Sequence, residues 1–372
     1  MRAREKTSGS DMPISRRNLA LLGGAVTWVP LAAFSAVQMR SPDVPEAAAF
    51  WRDFGVHGRY LISVPLFILG DAVCVPRLWR LIDHFADAGL VEDLEGFEAA
   101  AASAHRGFGS RKALIGIALL AWIGAALVTH SYSLERLPAW YIGHGATAPF
   151  SLAGWWHVLV SLPLALTLVF VWFWRLCVWA LLLLRVARCR LRLIASHPDR
   201  SAGLGFLGAS LHAFAPIAFA LSTISASREV ALILNHHELS RHHLYVNIGF
   251  AAFSMTLIVL PLCAFTPPLM EAARRGGRAY SKLALQLGQA FETRWLTPDS
   301  SRADEDILRV QDFSATIDLY SVVAGARGLR LVPVSRRNLL ALGVVLALPF
   351  APVLVMMVPV HVIFTDLRGI LL

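Results

Sequence analysis

Charge is scarce in this chain: only 16% of its 372 residues are Asp, Glu, Lys or Arg, while 56% are hydrophobic. That balance excludes a disordered chain and a pair of ordinary soluble domains, and it points to a protein that threads a bilayer several times. Cysteine is sparse as well. Cys74, Cys177, Cys189 and Cys263 form no CxxC pair and no disulfide framework. A Walker loop, a Ser/His/Asp set and a pair of catalytic carboxylates are also missing, so no enzyme class can be read from a motif. The net charge of +9 would suit nucleic acid. Most Lys and Arg flank apolar runs, however, where they act as topology determinants, so no nucleic-acid partner is expected.

What is present is length of apolar sequence. From His157 to Leu184 the chain is almost continuously apolar, and it then stops at Arg185, Arg188, Arg190 and Arg192. A bilayer crossing needs ~20 such residues, so this is a span with a cationic stop. Seven runs qualify, at about 18–39, 60–81, 113–130, 154–184, 208–227, 244–267 and 339–360. The expected fold is an all-α transmembrane helical bundle of about seven spans, within a range of six to eight, with small cytoplasmic helical segments.

Counting cations sets the orientation. With the N-terminus inside, 26 of the 34 Lys and Arg residues fall on the inner side and seven on the outer, with Arg175 within the fourth span. The positive-inside rule therefore places residues 1–17 in the cytoplasm and the C-terminus on the outer side. Spans one to six occupy 18–270, interrupted by a cytoplasmic helical loop at 83–112; a second cytoplasmic segment covers 271–338, and 339–372 holds the last span and a short outer tail. Ser15-Arg16-Arg17-Asn18-Leu19 resembles a twin-arginine export signal. The same pattern recurs as Ser335-Arg336-Arg337-Asn338-Leu339 before the last span, so the plainer reading is a juxtamembrane anchor used twice. In 271–338, Tyr280, Leu283, Leu287, Phe291 and Trp295 recur at steps of three and four, marking an amphipathic helix. The stretch 297–301 breaks it, and Ile307 to Val323 reads as a second helix.

Charges inside apolar runs are expensive and so are the first candidates for a site. Asp71 lies about midway along the second run and Arg175 in the inner half of the fourth. Three outcomes are open: a buried pair that fixes helix packing, a proton or ion relay through Asp71, or a snorkelling Arg175 with Asp71 lining a wet crevice. His212 is expected on a small-residue stripe of the fifth span with Gly208, Ala215, Ala218 and Ser222, buried and hydrogen-bonded to a neighbour. The group His236, His237, His242 and His243 nearly reads as HExxH. Because His237 and His242 are five apart, their side chains diverge by about 140° on a helix, unlike the i, i+4 pair that holds zinc. No cofactor is expected from motif, and an outward metal or haem site remains the alternative, with solvated imidazoles as the plainer reading. Gly203-x-Gly205-x-x-Gly208 has the dinucleotide spacing, but a polar turn precedes it where that fingerprint needs a strand.

The turn His197-Pro198-Asp199-Arg200, continuing through Gly203 and Gly205 to Leu207, is the most specific part of a wider pattern. Asp53-x-x-x-His57-x-Arg59-x-Leu61 precedes Pro65 to Ile68, and Gln311-Asp312-Phe313 and Arg330 to Val334 follow. In these residues the chain resembles an uncharacterised family of bacterial multi-pass inner-membrane proteins. Members commonly carry Gly-Gly where this chain has Ala202-Gly203, and an acidic pair where it has Val360-His361. The resemblance implies membership and topology and no activity. The functional expectation is a non-enzymatic membrane protein with a transport, permeation or accessory role. Its surroundings are lipid, its partner a second copy or another membrane protein, and a signalling or scaffold role through the cytoplasmic segments is the further alternative.

Overall fold

In the computed structural model, residues 14–39, 49–131, 138–142, 150–236, 241–296 and 311–357 are described. The fold is all-α, with seven helical stretches long and apolar enough to cross a membrane: Ser15–Gln38, Phe54–Asp87, Arg111–Ser131, Leu152–Arg188, Ala215–Leu234, Tyr245–Thr293 and Arg336–Met356. The chain is a multi-pass membrane protein. We label its helices α1 (Ile14–Gln38), α2 (Val64–Asp87), α3 (Leu94–Phe108), α4 (Arg111–Ser131), α5 (Leu162–Arg188), α6 (Ala209–Ala213), α7 (Ala215–His236), α8 (Arg241–Val259), α9 (Thr266–Trp295), α10 (Gln311–Arg327), α11 (Arg336–Ala347) and α12 (Ala351–Met357).

Proline shapes the spans. A proline ring removes a backbone donor and collides with the carbonyl four residues earlier. Before Pro65 and Pro163 the chain relieves this with a widened π-helical turn, at Gly58–Ser63 and His157–Ser161. Pro30 in α1 frees the Val26 carbonyl, which accepts a 3.2 Å hydrogen bond from Trp156 Nε1. Pro261 and Pro349 fall in 3₁₀ turns, Leu260–Phe265 and Leu348–Phe350, that join α8 to α9 and α11 to α12. The sixth stretch is 49 residues long. At ~1.5 Å per residue it is more than twice as long as the hydrocarbon core is thick, so α9 leaves the bilayer and packs against α10 outside it.

The fifth span departs from expectation. It begins at Ala215, because Pro216 would collide with the His212 carbonyl in a continuous helix, and the chain breaks at Phe214. Gly208 therefore ends a 3₁₀ turn, Gly205–Gly208, and His212 sits on the separate short helix α6. Ala218 and Ser222 do pack inside, both 0% exposed. Between the second and third spans a single helix forms, α3, capped by the Asp93 carboxylate on Gly96 N at 3.0 Å.

Two apolar cores follow. The larger lies at the arginine-rich end, where Phe85 stacks on Phe265 at 5.9 Å and Trp179, Leu183 and Leu204 are fully enclosed. The smaller gathers Leu31, Phe50, Tyr60, Trp140 and Tyr141 at the opposite, histidine-rich end.

Candidate functional site

Asp71 is where three spans meet. Its Oδ1 accepts from Arg175 Nη2 at 2.7 Å, and its Oδ2 accepts from Arg16 Nη1. Gly70 lets α5 come close to α2 beside this site: a Cβ there would stand 2.5 Å from Ile217 Cδ1 and 2.7 Å from Trp172 Cζ2. Trp172 is fixed in turn by its indole N–H on the Phe67 carbonyl at 2.9 Å, and the Arg175 guanidinium lies over its ring at 5.0 Å. This cation–π contact covers one face of Arg175, while its buried Nε has no hydrogen-bond partner.

The cluster is not sealed. Side-chain exposure is 15% for Arg175, 23% for Asp71 and 45% for Arg16, so polarity rises outward from α5 to α1. A cavity of about 600 Å³ reaches Asp71 and Arg175, walled by Val75, Trp79, His105, Arg106, Phe108 and Gly109. Its rim is braced on α5, where Trp174 Nε1 donates to the Gly107 carbonyl at 3.0 Å and Arg185 Nη1 to Ser103 Oγ at 2.7 Å. Chemically, this is an open vestibule at the arginine-rich end that reaches one carboxylate held between guanidinium groups from α1 and α5.

The turn after α5 is a second constructed feature. Asp199 Oδ1 accepts from Ser201 N at 2.8 Å and Gly203 N at 3.2 Å, and Oδ2 accepts from Gly205 N at 2.7 Å. His197 Nδ1 lies 2.8 Å from Oδ1. The loop can wrap the carboxylate only by turning left-handed, with φ of 54° at Arg200, 55° at Ala202 and 97° at Gly203. Burial pushes the Asp199 carboxyl up, but the hydrogen bonds from Ser201, Gly205, Gly203 and His197 outweigh it and hold it below the usual range. The Arg200 carbonyl accepts from Arg330 N at 2.7 Å, tying the turn to the segment before the last span. Pro198 stands at the second position of a turn closed by Arg200 N on the His197 carbonyl at 3.1 Å.

The remaining predicted positions separate. His212 is exposed and lines another cavity with Arg77, Arg80 and His84, which corrects its expected burial against a neighbouring span. The reason is the break at Phe214, which leaves His212 on a separate short helix rather than on the spanning helix α7. At the histidine-rich end, His237 lies outside the described residues, as do the side chains of His236 and His242. His243 Nδ1 is 3.2 Å from Glu229 Oε2. Among the described residues no group of three His, Cys, Asp or Glu side chains is placed to hold a metal ion.

Three residues take roles that sequence reasoning did not assign to them. Arg16 resembled a topology anchor and is a partner of Asp71. Glu229, on α7, is 5% exposed inside the fifth span and faces His243. Asp53 caps the short helix Phe54–His57 on Val56 N at 3.2 Å and accepts from Trp140 Nε1 at 3.1 Å. A search for carboxylates at either end of each span would have flagged Glu229. No protein-family model, curated protein or solved structure matches the chain.

Proposed function

We propose that this chain is a non-enzymatic protein of a bacterial inner membrane, of the multi-pass family it resembles, and that it serves the permeation or transport of a small ionic solute. The arginine-rich end faces the cytoplasm and the C-terminus the periplasm, a reading supported by the 26 inner Lys and Arg residues against seven outer ones. A lipid bilayer surrounds it, and a second copy or another membrane protein is its partner.

The observation that carries this reading is the position of Asp71. A carboxylate tying α2 to both α1 and α5 for packing alone has no need of water, yet this one lines a cavity of about 600 Å³. Its two cationic partners sit on different spans and differ in exposure. Protonation of Asp71, or entry of an anion beside the arginines, would release α1 or α5 from it, which supplies the two-state element that alternating access requires.

The test is reconstitution. Proteoliposomes holding the purified protein should dissipate an imposed proton or chloride gradient faster than empty vesicles, and Asp71→Asn should reduce that rate. Absence of both fluxes, together with an Asp71→Asn variant indistinguishable from wild type in its host, would refute the proposal.

A further inference from the structure

A cavity of about 440 Å³ opens between α2 and α6 at the arginine-rich end. Its polar lining is entirely cationic or imidazole: Arg77, Arg80 and His84 from α2 and His212 from α6, with no carboxylate among the lining residues. The three α2 residues follow at i, i+3 and i+7, which puts them on one helix face. Among the described residues, the side chains of Arg77, Arg80, His84 and His212 make no hydrogen bond or ion pair to the protein. The contrast with Arg175 and Arg192, which are both paired, is direct.

The rest of the cavity is apolar. Leu81, Phe206 and Ala213 form its floor, and Phe206 is held against the His84 ring at 4.5 Å. The neighbouring Gly208 packs against the start of the last span: a Cβ there would stand 2.3 Å from Asn338 Nδ2 in the first turn of α11. The groove therefore begins at the level where the last span begins, which is the membrane interface.

From this geometry we infer that the groove is a binding site for the headgroup of an anionic phospholipid in the leaflet at the arginine-rich end. The two guanidinium groups take the phosphate, and the apolar floor takes the glycerol and first methylenes. A free phosphate ion would leave that floor uncovered, whereas basic pockets between spans at the interface suit lipid headgroups. The occupant neutralises the unpaired arginines and adds a bridge between α2 and α6, which already pack on one another.

Native mass spectrometry of protein extracted from phosphatidylcholine nanodiscs doped with phosphatidylglycerol tests the assignment. Wild type should retain phosphatidylglycerol in preference to phosphatidylcholine, and excess inorganic phosphate should not displace it. An arginine at an anionic surface is worth about fivefold, so Arg77→Gln with Arg80→Gln should weaken retention roughly 30-fold, while Arg77→Lys with Arg80→Lys keeps most of it. Should the glutamine variant fail to fold, Ala209→Glu places a carboxylate at an exposed position of the same lining and should expel the lipid. Equal retention of both lipids by wild type, displacement by inorganic phosphate, or undiminished retention in a folded Arg77→Gln, Arg80→Gln or Ala209→Glu protein would overturn it.

Discussion

Replacing Asp199 by Ala removes one side chain and strands three backbone donors. Ser201 N, Gly203 N and Gly205 N lose acceptors at 2.8, 3.2 and 2.7 Å. A hydrogen bond to a charged group contributes about 1.5–3 kcal/mol, so three would sum to well over 4 kcal/mol if no water could enter. The Asp199 side chain is 21% exposed, however, and water can replace part of what is lost. The loop also holds Arg200 and Ala202 at positive φ, a conformation that costs ~1 kcal/mol per residue and relaxes once the carboxylate is gone. We expect a net loss of ~3 kcal/mol for Asp199→Ala and ~1–2 kcal/mol for Asp199→Asn, which keeps one oxygen for Ser201 and Gly203.

The pH dependence follows with its sign. The folded carboxyl is held below the ordinary value of 3.8, so its contribution is complete above that value and is lost as pH falls through the lower folded one. Wild type should therefore lose stability on acidification below about pH 4 through a component that Asp199→Ala lacks. The assay is the midpoint of heat-induced loss of the monodisperse peak in detergent, taken for each protein at neutral and acid pH. An Asp199→Ala protein that matches wild type in folded yield and midpoint would refute the reasoning.

Other perturbations are expected to rank in a definite order. Asp71→Ala leaves the 15%-exposed Arg175 without its carboxylate and should cost ~2–3 kcal/mol of stability, whereas Arg16→Ala, at a 45%-exposed partner, should cost under ~1 kcal/mol; melting midpoints of the two variants compare them directly. Gly70→Ala puts a methyl 2.5 Å from Ile217 Cδ1 and should lower the midpoint by the equivalent of ~1–3 kcal/mol, with a change in Trp172 fluorescence as α5 is displaced. Glu229→Ala removes the acceptor facing His243 and should cost ~1–2 kcal/mol, seen as faster proteolysis at the histidine-rich end.

Much of the bundle was legible because membrane spans are written as length. Runs such as 113–130 and 154–184 need no knowledge of their neighbours, and the helices found there extend them by only a few residues. The start of the fifth span was illegible in the same terms. Averaging apolarity over a window hides a single proline, and it was Pro216 that separated α6 from α7 and turned His212 outward. Asp71 and Arg175 stood out as charges inside apolar runs, whereas Arg16 did not, since an arginine ahead of a span reads as an anchor. The Asp199 cradle depends on positive φ at Arg200 and Ala202, and neither residue type announces that backbone.

The central claim is that Asp71 lines a water-filled vestibule open on the arginine-rich side. Its most direct test is labelling by a membrane-impermeant maleimide of single cysteines at Val75 and Phe108, two wall residues, in a chain whose native cysteines are replaced. Both positions should react in inverted vesicles and resist in right-side-out ones, with Asp71→Asn leaving that sidedness unchanged. Labelling in neither orientation, or from the opposite side only, would contradict the account.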